Sequence, residues 1–153
     1  MDLRTRIQTA TKEAMKARDS ARTSTLRLIA AAIKDREIAL RGEKGPDAVL
    51  DGDGLLAILA KMVKQRQESA RAYVDGGRRE LADKELAEVE LIQSFMPRQL
   101  DAAEVEAAIG AAITALGATS LRDMGKVMAE LRARHAGQMD FATVGPQVKA
   151  RLG

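Results

Sequence analysis

The sequence contains no cysteine, and only three aromatic residues, Tyr73, Phe95 and Phe141. Without cysteine there can be no disulfide, no thiolate metal site and no cysteine nucleophile, and the redox compartment leaves no trace. With so few aromatics the core must be built from Leu, Ile, Val, Ala and Met, which suits close-packed helices. Prolines number three and glycines twelve, and few of either fall inside the periodic segments. No apolar run approaches the ~20 residues of a membrane span, and Met1-Asp2-Leu3-Arg4 lacks a signal-like apolar core. On these grounds the expectation is a soluble, cytoplasmic protein with no membrane contact.

Apolar residues recur at helical spacing along most of the 153 residues, and no segment alternates as a strand would. A first helix is expected over about Asp2 to Ala17, with Leu3, Ile7, Ala10 and Ala14 inward. Asp19-Ser20 can cap a second, reaching about Leu40 with Leu26, Ile29, Ile33 and Leu40 as its stripe. The short break makes the two an antiparallel hairpin. Gly42 to Asp47 reads as a loop that continues through Asp51-Gly-Asp-Gly54. A third helix follows from Leu55 to Asp75 and is ended by Gly76-Gly77. The fourth, Glu80 to Met96, has Ala82, Leu86, Val89, Ile92 and Met96 on one face and is stopped by Pro97.

Beyond Pro97 three shorter helices are expected. Asp101 caps one to about Leu116, with Val105, Ile109, Ala112, Ile113 and Leu116 inward. Ser120 and Asp123 have capping-box spacing ahead of the helix Leu121 to Arg134, with Leu121, Met124, Met128 and Leu131 inward. Asp140 opens the last, where Gly145-Pro146 should weaken or kink the start. Gly125, inside a helix, suggests close approach by a backbone or ligand. The expected fold is all-α: an N-terminal helical domain of about four helices, 1–96, joined to a three-helix domain, 97–153.

No motif supplies a self-contained active site. His135 is the only histidine, and its place beside Ala136-Gly137 suits a helix end. The serines lack a nucleophile-elbow context, and there is no phosphate loop or zinc-binding His-Glu-x-x-His. The acidic residues near Asp51 lack the remaining positions of a calcium loop. Glu85, Glu88 and Glu90 read as a solvated face. The expectation is no catalytic residue, no metal and no cofactor.

What the sequence does carry is basic charge. From Arg4 to Arg41 there are ten Lys/Arg against four Asp/Glu, whereas from Asp101 to Gly153 there are six of each. One cluster is Lys12, Lys16, Arg18, Arg22, Arg27 and Lys34; a second is Lys61, Lys64, Arg66 and Arg71; a third is Arg122, Lys126, Arg132 and Arg134. Cations spread without aromatics suit phosphate contact and not base stacking, so structured RNA read by shape is the fitting partner class. A merely solvated helical surface is the other reading.

Several stretches together resemble the YqeY-like family. They are Lys16-Ala-Arg-Asp-x-x-Arg22, Thr25-Leu-Arg-Leu-Ile, Ala31-Ala-Ile-Lys34, Lys64-Gln-Arg-x-x-Ser69, Gly77-Arg78, Ala82-x-Lys-Glu85, Met96-Pro-x-Gln-Leu100 and Asp123-Met-Gly-Lys-Val-Met128. They occur in the family's order over nearly the whole chain. The family is similar to the C-terminal tail of the B subunit of tRNA-dependent amidotransferase, a carbon–nitrogen ligase with glutamine as amido-N-donor. The resemblance implies an all-helical two-part fold and contact with tRNA, without the catalytic parts, which lie outside that tail. It puts Lys126, after Gly125, beside Lys16, Arg22, Arg27, Lys34, Lys64 and Arg66 as nucleic-acid-binding candidates. Partners so implied are tRNA and amidotransferase or aminoacyl-tRNA synthetase components, with the chain itself a monomer. Two alternatives stay open: amide-forming activity exerted only with partner subunits, or a protein-interaction adaptor.

Overall fold

A computed structural model describes all residues, Met1–Gly153. It is all-helical: α1 (Leu3–Lys16), α2 (Ser20–Lys44), α3 (Gly52–Asp75), α4 (Arg79–Gln93), α5 (Ala102–Leu116), α6 (Met124–Arg134) and α7 (Phe141–Leu152). The chain divides into two compact units, Met1–Met96 and Pro97–Gly153. No single helix is long and apolar enough to cross a membrane.

Most helix starts are set by an aspartate whose carboxylate accepts a first-turn amide that the helix itself cannot satisfy. Asp2 takes Thr5 N–H, Asp19 takes Arg22 N–H and Asp101 takes Glu104 N–H. Asp51 takes Gly54 N–H, so α3 begins at Gly52, earlier than expected, and the calcium-like fragment is a cap. The C-termini of α1, α3 and α5 share one device. A left-handed residue follows the helix, and the next amide reaches back five residues: Asp19 to Ala14, Arg78 to Tyr73 and Ala118 to Ile113. Gly77 and Gly117 supply the left-handed residue in two of them; in the first it is Arg18, with φ +55°.

In the first unit α3 packs along α4, and α1 along α2. Their inner faces share a core that includes Ile7, Ala14, Leu26, Ile29, Leu59, Met62, Val89, Ile92 and Phe95. Leu26, Ile29, Leu59 and Ile92 are fully buried, each worth roughly 1.5–3 kcal/mol of transfer free energy. The end of α4 departs from expectation. Its α-pattern stops at Gln93, and Phe95 and Met96 continue through three-residue bonds to Ile92 and Gln93 carbonyls. That tightening accompanies burial of Phe95 under Arg6, whose guanidinium lies 5.7 Å from the ring centre. Leu86, expected inside, is 45% exposed.

The second unit packs α5, α6 and α7 around Ile109, Val127, Leu131, Val144 and Val148. The Ser120–Asp123 box forms, but it opens a three-residue 3-10 turn, Leu121–Asp123, before α6. That turn leaves Leu121 outside and brings Val127 in. Helix α7 runs on through Pro146. A Cβ on Gly125 would meet nothing within 4 Å, so the expected close approach there is absent. A Cβ on Gly110, by contrast, would stand 3.2 Å from the Arg151 guanidinium.

Candidate nucleic-acid interface

The basic residues separate by whether an acid neutralises them. Lys12, Lys16, Arg18, Arg22, Arg27 and Lys34, all on α1, α2 and the turn between them, make no ion pair within 4 Å. All six stand in exposed positions, as does Lys61. Arg18 and Arg27 line one shallow depression at the mouth of the hairpin, together with Met15, Ser20, Thr23 and Ser24. Arg27 and Lys34 are seven residues apart, two helical turns, and so share a face of α2 about 10 Å apart along its axis.

The other candidates are differently placed. Arg66 Nε donates to Glu88 Oε2 at 2.8 Å, with side chains only 14% and 20% exposed. Its Nη1 also donates to the Met62 carbonyl. Arg66 therefore ties α3 to α4, and Glu88, read from sequence as solvated, is its counter-ion. Lys64 is exposed on α3 but does not stand alone; it has an interaction of its own. In the second unit Lys126 is exposed near Asp123, whose carboxyl is held below its ordinary value. The causes there are the amides of Thr119 and Ser120, then the Lys126 charge, working against partial burial. Arg132 lies over the Phe141 ring at 5.5 Å and Arg134 pairs with Glu130. The hairpin thus keeps six exposed cations without an ion pair, and on α3 of the same unit Lys61 and Arg71 are exposed and unpaired as well.

Two polar assemblies escaped the sequence. Glu37, on α2, is only 8% exposed. Its carboxylate accepts Arg4 Nη2 at 2.7 Å and Leu50 N–H at 3.0 Å. These two donors, in that order, hold its carboxyl below the usual value against the opposing effect of burial. A glutamate amid an apolar stripe was the available signal. The second assembly lies at the front of the C-terminal unit. Leu100 N–H and the Gln138 side chain bond Gln138 O and Arg98 O respectively, and the Gln99 amide donates to the Gly137 carbonyl. His135 Nδ1 lies 3.1 Å from Gln138 Oε1. The Met96-Pro-x-Gln-Leu100 stretch and the lone histidine therefore share one clasp. Arg98 also grips Glu104 at both oxygens, which pushes that carboxyl down to about 2.

These features define a two-unit, all-helical protein with an unneutralised basic hairpin. The chain belongs to the YqeY-like family: the family model described as "Yqey-like protein" matches residues 4–152. Its relatives include proteins named "Altered inheritance of mitochondria protein 41, mitochondrial". That of Eremothecium gossypii is 40% identical over 85 residues, 56% of this chain and 44% of the relative. That of Vanderwaltozyma polyspora is 34% identical over 85 residues, 56% of this chain and 43% of the relative. In Lachancea thermotolerans the figures are 30% over 95 residues, 62% and 48%. The matched region spans less than half the length of these relatives. The cytoplasmic expectation is corrected by them: their names point to mitochondria.

Proposed function

We propose that the chain is a helical tRNA-binding module that serves amide-forming tRNA chemistry performed by other subunits. One observation carries the reading: six exposed cations, Lys12, Lys16, Arg18, Arg22, Arg27 and Lys34, gather on α1, α2 and their turn with no ion pair, while Arg66, Arg98 and Arg134 are held by acids. Family membership supports it through the likeness of YqeY-like proteins to the tail of the amidotransferase B subunit. Arginines and lysines on a rigid hairpin suit phosphate contact and offer no stacking platform, so the contact is with the folded body of the RNA.

Binding to total tRNA, followed by fluorescence anisotropy at two salt concentrations, tests this. With about six phosphate contacts, affinity should drop on the order of a thousandfold between roughly 50 and 200 mM salt. Arg27→Glu and Lys34→Glu should each weaken binding and flatten the salt slope by about one. Absence of binding at the lower salt, with the protein folded by circular dichroism, discards the proposal.

A further inference from the structure

The first unit carries a second feature that shares only Arg22 with the proposed phosphate-binding surface. Between α2 and α4 runs an open groove of about 600 Å³. Its floor is apolar: Ala21 and Leu28 from α2, Ala87 and Leu91 from α4. Leu28 is 47% exposed, a large apolar side chain held out in the open. Arg22 and Lys84 stand at the rim, and neither has an acidic partner. The two acids in the same lining are already engaged, Asp19 as the cap of α2 and Glu88 as the counter-ion of Arg66. The groove therefore presents an apolar floor with two cations at its edge that make no ion pair, next to the capping carboxylate of Asp19.

We infer that this groove docks an amphipathic helix of a protein partner, with leucine-like anchors on one face and carboxylates flanking them. The spacing favours a helix. Lys84, Ala87 and Leu91 line one side of the groove over about 10 Å of α4, room for about two turns of a docked helix. Charge favours an acidic partner, because Arg22 and Lys84 gain counter-ions that the fold itself does not supply. The apolar floor disfavours RNA, whose phosphates would strand Leu28 and Leu91 against a charged backbone. The inference shares Arg22 with the tRNA proposal but otherwise rests on the apolar floor and on Lys84, which that proposal does not use.

The test is a titration of the isotope-labelled full chain, followed by amide and methyl resonances. The probe is a lactam-stapled peptide with Leu at i, i+4 and i+7 and Glu on both flanks. Its lysine-flanked isomer is the control. Shift changes should be confined to residues 20–28 and 84–91, and the control should bind about tenfold or more weakly. Leu28→Asp and Lys84→Glu replace exposed side chains and should abolish the response with the melting temperature unchanged. No shifts at about 1 mM peptide overturn the inference. Equal binding of both isomers does so too, as does a response at these residues to tRNA and not to the acidic peptide.

Discussion

Arg18 holds a backbone conformation, φ +55°, that costs a residue with a Cβ about 1 kcal/mol. The equivalent places after α3 and α5 are glycines, Gly77 and Gly117. A side chain kept where glycine fits better is consistent with a use for that side chain, here at the mouth of the basic hairpin. Arg18→Gly should therefore raise stability in urea melts by about 0.5–1 kcal/mol while lowering tRNA affinity. A fall in stability would show that the turn carries no strain. Glu37 makes the opposite case, a charge kept for structure. Glu37→Gln should cost about 1–2 kcal/mol near pH 7, since the Arg4 ion pair is lost and a buried site is left mismatched. Because the folded carboxyl lies below its ordinary value of 4.5, its contribution is complete above that value. It disappears as pH falls through the folded value. The gap between wild type and Glu37→Gln should accordingly narrow as melts are taken to progressively lower pH below 4.5. A gap that is constant with pH would remove the electrostatic account.

At the scale of the element, α6 departs most from what its periodicity suggested. The Ser120–Asp123 box starts a 3-10 turn, and the helical face then rotates so that Val127, not Leu121, enters the core. Gly125 stands in the first turn of α6 with open space around it. Gly125→Ala should thus stabilise the protein by about 0.5–1 kcal/mol, the ordinary helix-propensity difference, in thermal or urea unfolding. Destabilisation would mean that a neighbour does approach it. The caps of α2, α5 and α7 were legible in the sequence because an aspartate and the amide it accepts lie only two or three residues apart. The outward turn of Leu86, Leu116 and Leu121 was not. Each sits at a helical spacing that fits the stripe, and only the width of the neighbouring helix decides whether the edge of a stripe is covered.

At the scale of the whole molecule, a net charge of +3 says little. Its distribution says more. Pairing with acids and rings absorbs arginines such as Arg4, Arg66, Arg98 and Arg132, and leaves six unpaired cations together on the α1–α2 hairpin. The groove between α2 and α4 adds an apolar surface to the same unit. A module that carries two such faces is suited to bring an RNA and a protein together.

The sequence by itself determined the all-helical class, the capped starts of α2, α5 and α7, the family, and where basic residues are dense. All of these depend on neighbours a few positions away or on residue type alone. Only the tertiary structure decided which cations remain uncompensated. Glu88 stands 22 positions from Arg66, and Glu37 stands 33 from Arg4 and 13 from Leu50. Charge neutralisation acts across packed helices, and it falls off with distance in space, to which distance along the chain is no guide.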